Sequence, residues 1–297
     1  MHSPVYRGKG DRLFSILVVL ILFAIFIIVL YPLLYTLSAS FSDPLAVLNG
    51  RLWLLPVGWT LKAYGNVLDH PEIWVGYRNT LLYTSVALVF NIVLTILAAF
   101  PLSRRDFKGR GLLTGILVFT MFFDGGMITT YLVVHKLHLI NTMWALVLPK
   151  AINTFNVIVT ITFLRHTIPE EVYEAARVDG CSNTRMLLSI AIPLSKPILA
   201  VMVLFYAVEQ WNSYFDALIY ISKQQLFPLQ LILRNILIAA SASDMTTAAD
   251  AGATQRMLDS EGIKYAVIIL ASLPMLILYP FVQRFFVNGV MIGSVKG

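Results

Sequence analysis

The chain has 297 residues, 58% of them hydrophobic and 13% charged, with a formal net charge of +6. A soluble domain carries roughly 25% charge, so these values, with a mean hydropathy of +0.77, exclude a water-soluble globular protein. The charge is gathered in short blocks between long apolar runs, the pattern of a polytopic membrane protein, and the basic residues flank those runs, which argues against nucleic acid as a partner.

Between Leu13 and Ser42 there is no charged residue, and the stretch 16–37 is almost wholly apolar. At about 1.5 Å per residue it crosses a hydrocarbon core of about 30 Å. Arg7, Lys9 and Arg12 precede it, and Ser38 and Ser40 could imitate a signal-peptide cleavage site. The apolar core exceeds the roughly 7–15 residues of a signal, so we read a retained helix. Further spans are predicted over 80–102, 112–133, 142–164, 198–221 and 264–286, because backbone groups in lipid must be paired internally. Pro32, Pro274 and Pro280 are expected kinks. Between the last two spans lies a long, mildly polar outer loop, 222–263, with helical spacing of apolar residues around Leu226–Ala240. The chain closes with a tail, 287–297.

Lys and Arg counts set the orientation. With the N-terminus inside, 13 basic residues fall in inner segments, among them Arg104, Arg105, Lys108, Arg110, Arg165, Arg177 and Arg185, against seven in outer ones. The predicted fold is therefore an all-α integral membrane protein with six transmembrane helices and both termini cytoplasmic, one permeation domain over 1–297.

The segment 167–180, on the inner side between spans 4 and 5, is a polar helix that lipid does not require. Thr167 is its expected cap, Pro169 lies in its first turn, and Glu170 and Glu171 suit the positive helix end. Gly180 is its expected stop. On a helical period Val172, Ala175, Ala176 and Asp179 share a face. Alanines there let another protein approach, with Glu174 and Arg177 as a charged border. A purely interfacial amphipathic helix would need bulkier apolar groups.

Glu174-Ala175-Ala176-Arg177-Val178-Asp179-Gly180, followed after nine residues by Ile190-Ala191-Ile192-Pro193, resembles the coupling motif of bacterial ABC-importer permeases. Ile192 stands where leucine is usual in that family. Glu209-Gln210-Trp211-Asn212-Ser213-Tyr214-Phe215 and the tail Asn288–Gly297 look like the maltose-type, carbohydrate-importing subgroup. Asp124-Gly125-Gly126-Met127-Ile128 and Glu261-Gly262-Ile263-Lys264-Tyr265 look closer to a branch importing complex polysaccharide-derived oligosaccharides, alginate-type or plant-polymer-type, although Thr129 replaces an expected proline.

The resemblance implies a permease subunit of a binding-protein-dependent importer in the bacterial inner membrane, driven by ATP through alternating access. Glu174, Ala175, Ala176, Arg177, Asp179, Gly180 and Pro193 would couple it to an ATPase, and the tail residues Gly293, Val295, Lys296 and Gly297 would reach the same partner. The implied partners are a second six-span permease, two ATPase subunits, an extracytoplasmic sugar-binding protein, an oligosaccharide and membrane lipid. No G-x-x-x-x-G-K-S/T occurs, so ATP and Mg²⁺ belong to the partner, and the chain itself has no catalytic residue, metal or cofactor.

Ionisable groups inside spans are costly and mark candidate pathways. Here they are Asp124, Glu209 and Asp216, with Lys150 inside or near the fourth span. Glu209 and Asp216 fall on one helix face, and Trp211, Asn212 and Tyr214 add aromatic and amide surfaces for a sugar. The alternative is that these groups tie helices together. Two rival functions are weaker. A secondary transporter driven by an ion gradient predicts internal repeats and leaves the 167–180 element unexplained. A membrane enzyme lacks a constellation: Cys181 has no histidine partner, and His135 and His138 lack a third ligand.

Overall fold

The computed structural model describes residues 9–246 and 253–290, and every regular element among them is helical. The chain forms two compact units: Met1–His70 with Ile236–Ala271, and Pro71–Asn235 with Ser272–Gly297.

In the first unit, α1 (Lys9–Ser40) is long and apolar enough to cross a bilayer, and its apolar side chains stay exposed, as lipid contact allows. Its end is tied by hydroxyls. The Tyr64 hydroxyl donates to Ser40 Oγ at 2.8 Å and Ser42 Oγ to the Ser38 carbonyl at 2.6 Å. Asp43 then caps the short helix Pro44–Leu48 through the Leu45 N–H.

The second unit is built around α2 (Pro71–Ser103), followed by α3 (Arg110–Phe122), α4 (Gly126–Lys136), α5 (Thr154–Thr167), α6 (Glu170–Val178), α7 (Lys196–Trp211) and α8 (Tyr214–Tyr220). α9 (Leu229–Thr246) covers the helix expected around 226–240, and α10 (Ala253–Val290) contains the last expected span.

α2 packs against α5 and α7. It carries a buried polar seam, Asn79, Thr80, Thr84, Asn91 and Thr95, where a lipid-facing helix would carry hydrocarbon. Two of these residues serve the irregular backbone beside it. Asn79 Nδ2 donates to the carbonyls of Gln225 and Phe227 at 2.8 and 3.1 Å, and Thr80 Oγ1 accepts the Leu229 N–H at 2.8 Å. Non-helical backbone away from water needs such partners. Gly76 permits the approach: a Cβ there would sit 2.7 Å from Ile232 Cδ1 and 3.0 Å from the Leu229 Cα.

Three of the expected spans are broken. In 112–133, α3 and α4 meet at 112° across Phe123–Gly125. Gly126 has φ +77°, and Asp124 Oδ1 accepts its N–H at 3.0 Å, which starts the second half. In 142–164, the helical piece Trp144–Lys150 meets α5 at 49°, and Asn153 caps α5 by accepting the Asn156 N–H. The 198–221 stretch ends its first helix at Trp211, with Asn212 and Ser213 separating α8. Upstream, the helical run Asn183–Leu194 contains a π-helical turn, Leu187–Ala191, just before Pro193, and bends by 79° into α7 at Ser195. Proline cannot donate to the preceding turn, and a π turn relieves that conflict. α1, α2 and the Ser260–Phe281 stretch of α10 are each long enough to span alone, and the three bent pairs bring the number to as many as six.

Candidate coupling site

The C-terminal ends of α2 and α5 meet α6 in one apolar cluster. Phe100, Leu102, Ile161, Leu164, Ile168, Tyr173, Ala176, Met186 and Ala191 are buried together there. α6 is three residues shorter at its start than the sequence suggests. Thr167 ends α5 rather than capping α6, because Ile168 is turned into the core and Pro169 takes the extended N-cap position, ψ 149°. Glu170 and Glu171 occupy the first turn, where the helix dipole favours them.

The C-terminal end is closed by a paired cap. Gly180, at φ +73°, donates its N–H to the Arg177 carbonyl at 3.0 Å, and the Cys181 N–H donates to the Ala176 carbonyl at 2.9 Å. Only a glycine takes that conformation without strain. Ser182 then caps the next helix by accepting the Arg185 N–H at 3.3 Å.

The two faces of α6 have different work. Tyr173 and Ala176 are buried, 3% and 8% exposed, so Ala176 packs into this chain's own core and offers no surface to a partner. That revises the shared-face reading of Ala175 and Ala176. The free face carries Glu171, Glu174, Ala175 and Val178, at i, i+3, i+4 and i+7. Val178 is 88% exposed, an unusual position for a valine on a polar helix. Asp179 and Gly180 are exposed at its end. Pro193 lies in the helical run before the 79° bend, outside this face.

What holds α6 is a side chain that sequence reasoning treated only as an inner charge. Arg104 follows α2 and is 4% exposed. Its guanidinium carbon lies 4.9 Å from the Tyr173 ring centroid and 5.7 Å from that of Phe100. Nε and Nη2 donate to the two Asp106 carboxylate oxygens at 2.8 and 2.7 Å, and Nη1 to Met186 Sδ at 3.0 Å. Asp106 also pairs with Arg177 at 3.4 Å, and Arg177 approaches Glu170 at 4.0 Å. One arginine thus joins the loop after α2 to α6 and to the helical run beyond it. The pair shifts both protonation equilibria towards charge: hydrogen bonding to Arg104 lowers the Asp106 carboxyl below its ordinary range and hydrogen bonding to Asp106 raises Arg104 further. Burial pushes the Tyr173 phenol up. The available signal was Tyr173, a lone aromatic in a polar helix, with Arg-Arg-Asp closing a span.

The polar groups suggested for a pathway divide. Trp211 is 2% exposed, closed inside its own chain with its ring 6.4 Å from that of Tyr77, so it lines no open surface. Asp216 pairs with Lys150 at 2.5 Å, and Asn153 Nδ2 donates to Glu209 Oε2 at 3.5 Å. The Tyr206 hydroxyl bonds Thr95 Oγ1 at 2.7 Å and accepts the Asn153 N–H at 3.2 Å. These contacts tie the break before α5 to α2, α7 and α8. Asp124, Asn212 and Tyr214 are exposed. The tail residues Gly293, Val295, Lys296 and Gly297, and part of the 222–263 loop, lie outside the described residues.

The fold is thus a helical membrane protein with interrupted spans, in which a short polar helix is held by one face and leaves the other free. The family described as binding-protein-dependent transport system inner membrane component matches residues 73–292, and the chain belongs to it. It is 40% identical over 293 residues to protein LplC of Bacillus subtilis (strain 168), covering 99% of this chain and 98% of that protein. It is 37% identical over 289 residues to the polygalacturonan/rhamnogalacturonan transport system permease protein YtcP of the same strain, covering 97% and 99%. A solved chain from a bacterial ABC transporter involved in the import of the acidic polysaccharide alginate superposes with a TM-score of 0.83 at 32% identity, covering 96% of this chain and all of that one. The chain is thus the permease component of an ABC importer in the inner membrane, and the ion-gradient reading falls away.

Proposed function

We propose that this chain forms one half of a two-permease pathway that brings oligosaccharides from complex polysaccharides into the cytoplasm. Two ATPase subunits act on it from inside and a sugar-binding protein delivers from outside. The substrates named for two similar proteins support that class. In this reading the chain makes six crossings, each bent pair counting as one, with both termini and α6 in the cytoplasm.

The observation that carries the coupling role is the free face of α6. Glu174 and Ala175, with Glu171 and Val178, enter a groove on the ATPase, while Arg177, Asp179 and Gly180 shape its end and Pro193 sets the bend beyond. The tail Gly293–Gly297 reaches the same partner. ATP acts because its bound state prefers one of two global arrangements, and the Arg104 anchor passes the movement of α6 to α2 and α5. Exposed Asn212, Tyr214 and Asp124 face the sugar, while Glu209 and Asp216, held by Asn153 and Lys150, fix the shape of the wall.

A mild-detergent purification of the tagged chain tests this reading, followed by uptake in proteoliposomes. The expected result is co-purification of an ATPase and a second permease, and ATP-dependent oligosaccharide uptake that Glu174→Lys abolishes without loss of membrane insertion. A chain that purifies alone and transports unaided contradicts it.

A further inference from the structure

A cavity of about 250 Å³ lies where α2 and α5 end and α3 and α6 begin, lined by Ser103, Arg105, Arg110, Arg165, Glu170 and Tyr173 among others. It is smaller than the roughly 300–1,000 Å³ of drug-sized sites, a size suited to a head group. Its charge is lopsided. Three guanidinium groups face one carboxylate, and Glu170 is itself within 4.0 Å of Arg177.

The guanidinium groups keep donors to spare. Arg165 uses one N–H on the Leu102 carbonyl at 2.7 Å and Arg110 one on the Arg104 carbonyl at 3.3 Å, out of five each. Arg105 makes no ion pair among the described residues and is exposed. Tyr173, lining the same cavity and 3% exposed, carries a buried hydroxyl with no hydrogen-bond partner, an unfavourable state unless something accepts its proton. Arg110 and Glu170 are also the first residues of α3 and α6, whose amino ends favour an anion.

We infer that this cavity binds the phosphate of an acidic phospholipid head group on the membrane side that carries α6. Guanidinium forks match phosphate oxygens in pairs, and basic pockets between transmembrane helices are places where acidic head groups settle. The direction of access favours lipid over a partner protein. Glu170 and Tyr173 belong to the side of α6 that meets this chain's own core, away from Glu171, Glu174 and Val178. Directly after Arg110, α3 presents exposed Leu112, Leu113 and Ile116, a surface along which acyl chains can lie. A bound lipid would then brace α6 through the Tyr173 hydroxyl.

The test uses the transporter as purified, placed in nanodiscs of phosphatidylcholine with or without phosphatidylglycerol, and reads retained lipid by native mass spectrometry and the melting temperature. Wild type should retain phosphatidylglycerol and melt higher with it, and inorganic phosphate in phosphatidylcholine should not reproduce the shift. Arg105→Gln with Arg110→Gln should weaken retention about tenfold for each guanidinium, the worth of one charge-assisted hydrogen bond. Tyr173→Phe keeps the ring on Arg104 and needs no refolding of the site. It should melt as high as wild type in phosphatidylcholine alone yet lose much of the lipid-dependent shift. Equal retention by wild type and the variants overturns the site, and a full shift from phosphate alone overturns the lipid as its occupant.

Discussion

Replacing Arg104 by alanine should loosen α6 from the rest of the subunit. The contact of Arg104 with the Tyr173 ring reaches α6 directly and contributes about 1 kcal/mol. Its bonds to Asp106 lie within the loop after α2, where they hold that carboxylate towards Arg177 of α6, an exposed pair worth about 0.5 kcal/mol. Together these come to about 1.5 kcal/mol, on the order of tenfold in the docking equilibrium of α6. Hydrogen exchange on the reconstituted transporter reads this directly. Amides of residues 172–178 should lose about one order of magnitude of protection in Arg104→Ala, while those in the middle of α2 stay as in wild type. Uptake should fall with them. Arg104→Lys keeps the charge but loses the fork and the stacking, and should lie between. Unchanged protection of α6 in Arg104→Ala would refute the anchor, whatever happened to transport.

Acid titration gives a second check. The Asp106 carboxyl is lowered from its ordinary 3.8 by the bond from Arg104, so its contribution is complete above that value and is lost as pH falls through the lower folded one. α6 protection should therefore hold from neutral pH to about pH 4, and loosening that begins near pH 6 would contradict the assignment. Gly76→Val should lower the melting temperature sharply, because its Cβ would meet the Leu229 backbone, with overpacking costing about 1–3 kcal/mol; a neutral result would show that the 222–229 segment does not press on α2. Lys150→Ala and Asp216→Ala should each impair uptake more than the double variant, since a single change leaves one charge unpaired. Additive losses would mean that the pair does not act as a unit.

The apolar runs made the spans legible because lipid imposes length and composition on any crossing helix. Their breaks were less legible, since 3.6-residue periodicity continues through Phe123 and Asn212 and only backbone geometry shows the turn. At 124–126 the glycine pair offers a local reason for such a break, because glycine takes the positive φ found at Gly126. The face of α6 was misread at Ala176 because alanine serves equally for close approach to a partner and for packing inward, and only the position of Tyr173 decides between them. Arg104 was hidden by its class: an arginine at a membrane boundary reads as topology, and its stacking on two rings depends on a turn that brings α6 back under α2. Trp211 likewise offered a flat surface in sequence and proved to be enclosed.

A photo-crosslinking residue at position 178, compared with one at the exposed apolar position 112, tests the coupling claim most directly. In the assembled transporter, position 178 should give an adduct with the ATPase subunit whose yield changes with ATP, and position 112 none. An ATPase adduct absent at 178, or equal at both positions, would contradict the docking of the free face of α6.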